Sequence, residues 1–288
     1  MAQDNKPRAV SALGRLEPEN GIIRVTAPST PESITWAVLK ILNVNEGDDV
    51  SQGQLLGTTD AAPLLKAKVS VVQARLQLAL REAEAARSSA EEACVRANVA
   101  LQEADRRTRL RAQGVAGEEE AESAKGEAEA QAASCDTERT EIRAADARID
   151  VVRASLALVE AELERTHVYA PFDGRVLKLN ARPGEFIGHE GVLELGNVNR
   201  MYAIAEVYET DIRYVHVGQK ATVSSAALAR PLTGSVEFIR QKVEKQDAIG
   251  TDPAASKDAR IIEVQILLDD PSEVTGLTNL QVEIIIQP

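Results

Sequence analysis

The chain reads as an α+β protein: a long antiparallel α-helical coiled-coil hairpin inserted into a split β-domain, followed by a small antiparallel β-barrel. Three observations carry this reading. Two short segments of matching pattern flank a stretch of roughly 100 residues with heptad periodicity, and short alternating runs punctuated by turn residues follow the second segment.

The first of the matching segments runs from Val38 to Val50 and the second from Val176 to Ile187. Laying Gly47 on Gly184 puts Leu42 on Leu179, Asn43 on Asn180 and Val50 on Ile187. Each half sets a glycine turn between short apolar strands, and each is too short to bury a core alone. The halves must therefore meet. The residues between them then begin and end side by side, as an antiparallel hairpin requires.

From Ala61 onward an apolar stripe recurs through Val69, Val72, Leu76, Ala79/Leu80, Ala83, Ala86, Ala90, Ala93/Cys94, Ala97, Ala100/Leu101 and Ala104. It returns through Ala121, Ala124, Ala128, Gln131, Cys135, Glu138, Ile142, Ala145, Ile149, Val152, Leu156, Val159 and Leu163. A period near 3.5 sustained over about six heptads is the coiled-coil signal. Asp60 is a candidate N-cap, with Pro63 in the first turn. Arg106, Arg107, Arg109 and Arg111 fall where the first helix's negative end belongs; Gly114 breaks the pattern, and Glu118 to Glu120 open the second helix. Each arm spans about 48 residues, or about 70 Å. Cys94 and Cys135 lie about equally far from the hairpin's midpoint, at similar height on facing arms. They are either two small buried residues of an alanine-rich seam or, in an oxidising compartment, a disulfide pair.

Beyond residue 199, alternating runs at Met201 to Val207, Lys220 to Ser224, Gly234 to Ile239, Arg260 to Leu268 and Gln281 to Ile286 read as the barrel. Gln246 to Lys257 reads as a polar loop, and residues 8 to 16 are expected to pair near the final strand.

Composition excludes several classes of function. Aromatic residues make up only 3% of the chain, so much of it buries little per residue. A net charge of −12, with no aromatics interleaved among the clustered arginines, argues against a nucleic-acid partner. The N-terminus lacks an apolar leader, and no stretch approaches bilayer-spanning length. His167, His189 and His216 are scattered, two cysteines on opposite arms make no zinc set, and two methionines make no thioether cluster. No nucleotide-binding or nucleophile motif is present, so neither an enzyme nor a cofactor is expected.

These features resemble the periplasmic adaptor, or membrane fusion, protein family of export pumps, with its HlyD-like and MacA-like branches. The motif Val168-Tyr169-Ala170-Pro171-Phe172-Asp173-Gly174-Arg175-Val176 is similar to the family's return into a lipoyl-like domain. The resemblance implies an N-terminal membrane-proximal segment at 1–21 and lipoyl-like halves at 22–60 and 166–198. The hairpin then occupies 61–165, with its tip near 112–118, and the barrel 199–288. Ala12 to Pro18, Thr26 to Pro28, Asp258 to Val264 and Leu277 to Ile284 are similar to the DevB type, which serves ABC exporters of envelope glycolipid.

As implied by this resemblance, the chain is a non-enzymatic periplasmic adaptor, normally anchored in the inner membrane by an N-terminal helix that it lacks. Its partners are an ABC transporter permease in the inner membrane, a TolC-like outer-membrane channel and further copies of itself, six being expected. The family's tip pattern of Arg, Leu four residues later and Ser seven beyond that falls on Arg106, Leu110 and Gly117, the third position departing from the pattern. An adaptor for a proton-driven pump or type I secretion is the alternative within transport, and a coiled-coil scaffold the alternative outside it. A lipoyl or biotin carrier is disfavoured because the hairpin replaces the turn that would bear the acceptor lysine.

Overall fold

Glycine turns at both ends of an internal repeat explain how the β-domain closes. In the computed structural model, which describes residues 8–28, 37–245 and 260–288, Gly47 and Gly184 have φ of 89° and 94°, a left-handed conformation that disfavours side chains. The strands are β1 Val10–Val25, β2 Leu39–Leu42, β3 Asp49–Val50 and β4 Leu55–Thr59, followed by helices α1 Ala62–Ala112 and α2 Glu118–Glu164. Then come β5 His167–Tyr169, β6 Gly174–Leu179, β7 Leu193–Tyr208, β8 Lys220–Ser224, β9 Leu232–Lys245, β10 Arg260–Leu268 and β11 Gln281–Ile286. The strands form one unit and the helices another. The expected loop from Gln246 to Lys257 lies outside the described residues.

The two β-halves complete each other through matched backbone bonds. Gly47 N–H donates to Val176 O at 2.8 Å and Gly184 N–H to Leu39 O at 2.7 Å. Val176 N–H donates to Asp48 O, and Leu39 N–H to Glu185 O, both at 2.9 Å. Each turn also has the same internal lock, Asn45 N–H to the Asp48 carboxylate at 2.7 Å and Arg182 N–H to that of Glu185 at 2.8 Å. The turn of each half is thus satisfied by the strand of the other, and neither half closes its hydrogen bonds alone. Leu39, Val44, Val50 and Leu56 of the first half share one core with Val168, Val176, Ala181 and Leu193 of the second. Arg175 adds a two-pronged bridge to Asp49 at 2.8 and 3.0 Å, and these hydrogen bonds hold the Asp49 carboxyl below its usual range.

Strands β1, β11, β8, β9, β10 and β7 pair in that order, and β7 pairs back to β1, so the antiparallel barrel closes with six strands. Alternation explains the filling: Val282, Ile284 and Ile286 point inward, and Gln281, Glu283 and Ile285 outward. The expected pairing of the N-terminal residues is Val10–Arg15 against Gln281–Ile286. A side chain at Gly14 would strike the Ile204 carbonyl oxygen, which is why glycine sits where β1 is gripped by β7. β1 and β7, each 16 residues long, run on from the barrel into the split β-domain, with their pairing bulged between Pro18 and Ile23, where Asn20 and Gly21 take positive φ. Arg15 fastens β1 to its neighbours by donating to Glu263 of β10 at 2.8 Å beside buried Glu206 of β7, and it also donates to Glu17 of its own strand at 2.6 Å.

In the helical unit the seam follows the heptad stripe. Leu65, Val69, Val72, Ala79, Ala83, Ala90, Ala93 and Ala104 of α1 are buried, as are Ala121, Ala128, Cys135, Ala145 and Ile149 of α2. Leu101 departs from the stripe and faces solvent; Ala100 beside it is half-buried. The start of α1 corrects one expectation. Asp60 does not cap the helix: Ala61 occupies the cap position with no side-chain bond, while the Asp60 carboxylate accepts from Val38 N–H at 3.3 Å. Asp60 N–H also donates to Val38 O, at 2.9 Å, so this aspartate is spent closing the β-domain. Pro63 does lie in the first turn, where its missing donor costs nothing.

Candidate docking surfaces of the hairpin

The tip is built by a helix stop and a helix start with five residues between them. α1 ends at Ala112, and Gly114 takes φ of 74°. Gly114 N–H then donates to Arg111 O and Val115 N–H to Leu110 O, both at 2.9 Å. This is the Schellman pattern, in which a left-handed residue lets the chain turn back onto the orphan carbonyls. Gly117 caps α2 in an extended conformation without any side-chain bond, and Glu118, Glu119 and Glu120 meet the positive end of that helix.

Of the three expected contact residues, Arg106 and Leu110 lie one turn apart on α1, and Gly117 lies across the turn at the head of α2. Leu110 is half-buried, and its carbonyl is used by the stop motif. Arg106 is held by its own arm, giving two bonds of 2.8 Å to Glu103. Arg107 also donates to Glu103, at 2.8 Å, and reaches across to Glu120 at 3.2 Å; Arg111 reaches Glu118 at 2.7 Å. Hydrogen bonds from Arg107 first, and then from Arg106, hold the Glu103 carboxyl below its usual range. Arg107 and Arg111 therefore bridge the two arms while Arg106 pairs within its own, an arrangement that residue spacing did not reveal. Val115, 73% exposed at the apex, is the most exposed large apolar side chain among the described residues.

Farther from the tip, Cys94 and Cys135 face each other as expected from their equal distance to the turn. Their Cα atoms are 4.7 Å apart and their sulfurs are joined. At the other end of the hairpin lies a surface that the sequence reading missed. Leu64, Val71 and Leu78 of α1, and Val151 and Leu158 of α2, are all exposed. Each follows the last by seven residues on its own helix, so they form a second apolar stripe beside the seam. A groove of about 470 Å³ is lined by Leu78, Ala79, Ala144, Ala147, Val151 and Val152, which shows that both arms present this stripe on one face. The signal was legible in principle, as a second heptad register.

Among the described residues no three metal-ligating side chains cluster, and no helix is long and apolar enough to cross a membrane.

Comparison with known proteins bears on the fold. No family model matches the chain. It is 24% identical over 228 residues to the uncharacterized protein YdhJ of Escherichia coli K12, covering 79% of this chain and 69% of that one. The crystal structure of MacA from Actinobacillus actinomycetemcomitans superposes with a TM-score of 0.67 at 18% identity, covering 98% of this chain and 78% of MacA. A MacA-MexA chimera carrying the Pseudomonas aeruginosa MexA α-hairpin gives 0.61 at 17% identity, with 98% and 83% covered. The membrane fusion protein Spr0693 from Streptococcus pneumoniae R6 gives 0.55 at 14% identity, with 96% and 98% covered. With its split β-domain, inserted hairpin and barrel, this chain has the membrane fusion protein fold.

Proposed function

We propose that this chain is the periplasmic adaptor of a tripartite export pump, a non-enzymatic part that links an inner-membrane permease to a TolC-like outer-membrane channel. One observation carries the reading: a rigid, equal-armed hairpin grows out of a β-domain whose two halves are useless apart. Each arm runs about 70 Å along its own axis, and the seam between the arms is filled mostly by alanine. Transport energy then comes from the permease. The DevB-like segments favour an ABC-type permease and envelope glycolipid as cargo.

Copies of the chain are expected to stand side by side and close into a ring of six. The arms are suited to this. α1 carries ten Lys and Arg against six Asp and Glu, and α2 five against fourteen, so one copy's α1 meets the next copy's α2 with opposite charge. The exposed stripe through Leu78 and Val151 supplies the apolar part of that contact. In this arrangement the lipoyl-like domains line the ring and the barrel faces the permease.

The test is co-purification from the native envelope. With the chain tagged and the membranes solubilised in mild detergent, an ABC permease and an outer-membrane channel should be recovered together with several copies of the chain. Recovery of copies alone, with neither membrane protein, would overturn the adaptor reading in favour of a scaffold. Recovery of a proton-driven permease would move it to another pump class.

A further inference from the structure

The two halves of the hairpin are held by different means. In the half nearer the β-domain, Ala79, Ala83, Ala145 and Ile149 form a buried cluster with Leu76, Leu80, Ala86 and Val152 packed against it. From Ala90 to Cys135 the buried side chains are all alanine except Cys135 itself: Ala90, Ala93, Ala104, Ala121 and Ala128. Gln131 and Glu138 also take up seam positions there and are only half-buried. Alanine removes little apolar surface from water. The cross-arm ion pairs near the tip, Arg107 with Glu120 and Arg111 with Glu118, are solvent-exposed and contribute little. The strongest tie between the distal arms is therefore the Cys94–Cys135 bond, which closes a separation of 41 residues containing the whole tip.

We propose that this bond is a redox-operated clasp on the distal half of the hairpin. Intact, it holds the arms in register out to the turn. Reduction frees the distal arms from each other while the proximal half stays zipped by its apolar cluster. The reductant is a dithiol. One of its thiolates attacks a sulfur of the pair, the Cys94–Cys135 bond breaks, and the second thiol of the reductant resolves the mixed disulfide. Two electrons and two protons pass to the protein, leaving two thiols, and the reductant leaves as a disulfide. Cys94 is half-buried at the edge of the seam, whereas Cys135 is buried, so attack comes at the Cys94 sulfur.

The consequence, which rests on the adaptor reading, is that only the oxidised hairpin offers Arg106, Leu110 and Gly117 in one fixed arrangement. The arm then becomes competent to dock after it reaches an oxidising compartment.

Hydrogen exchange followed by mass spectrometry tests the clasp on the whole chain without any partner. Three samples are compared: the oxidised protein, the same protein after a small dithiol, and a Cys94→Ala/Cys135→Ala variant never exposed to reductant. Amides in 95–134 should exchange about tenfold faster or more in the second and third samples, while those in 65–86 and 142–164 change by less than about twofold. Unchanged exchange in 95–134 would overturn the proposal. So would equal acceleration of both halves, or disagreement between the reduced protein and the variant. Because no membrane partner is involved, failure here leaves the adaptor reading standing, and failure to recover a permease or channel leaves the clasp standing.

Discussion

The proximal and distal halves of one hairpin, built from the same two helices, solve the pairing problem in opposite ways. Near the β-domain, Leu76, Leu80, Ile149 and Val152 give the seam volume, and a second stripe through Leu78 and Val151 gives it an outward apolar face. Toward the tip the seam shrinks to alanine, and a disulfide, a Schellman stop and an arginine–glutamate lattice take over. The difference shows that helix length alone does not make a stiff arm. Where burial is generous the arms hold themselves; where close approach leaves little to bury, the covalent tie sets the register and the exposed ion pairs add little. The surfaces differ as well: the proximal half exposes an apolar stripe shared by both arms, whereas the distal half mixes clustered charges with exposed Val95, Val99, Leu101 and Val115.

The largest effect is expected from the proximal cluster. Ile149→Ala removes a buried branched side chain and should lower hairpin stability by about 2–4 kcal/mol, seen as faster exchange in 65–86 and 142–164. An equal loss of protection confined to the distal half would break the contrast. Acid should act on the opposite half and more gently. Because the Glu103 carboxyl is held below its usual value of 4.5, its contribution is complete above that value and is lost as the pH falls through the lower value of the folded state. Distal amides should loosen below that point, and again in high salt at neutral pH, while proximal amides do not; helix content by region, followed through an acid titration, checks this. The smallest effect is a gain. Gly117 has φ of −72° and open space around a Cβ, so Gly117→Ser meets no strain and supplies the missing cap. It should raise distal stability by about a few tenths of a kcal/mol, and a decrease would mean that the tip needs the freedom of glycine.

Much of this architecture was legible because it repeats. Gly47 and Gly184 can be superposed in the sequence, and their backbone bonds then match pair for pair in the fold. Gly114 and the three glutamates after Gly117 mark the turn because helix stops and starts have local chemistry. Cys94 and Cys135 could be placed at one height by symmetry about that turn. What stayed hidden depends on partners distant in sequence. Asp60 looks like a helix cap until Val38 claims it. β1 carries Pro18, Asn20 and Gly21, which look like a turn, yet bulged pairing to β7 carries the strand past them. At the candidate site the residue types were visible and their engagements were not. Arg106 is tied to Glu103, Arg107 bridges the arms, and the second stripe was masked by the stronger seam beside it.

The comparison of halves is tested most directly by photo-crosslinking in the native envelope, with a reactive side chain placed in turn at Leu110, Gly117, Leu78 and Val151. The expected result is that the two tip positions capture an outer-membrane channel and the two proximal positions capture only further copies of this chain. Tip positions that capture only copies or nothing, with a membrane partner trapped from Leu78 or Val151 instead, would contradict the assignment of docking to the distal half.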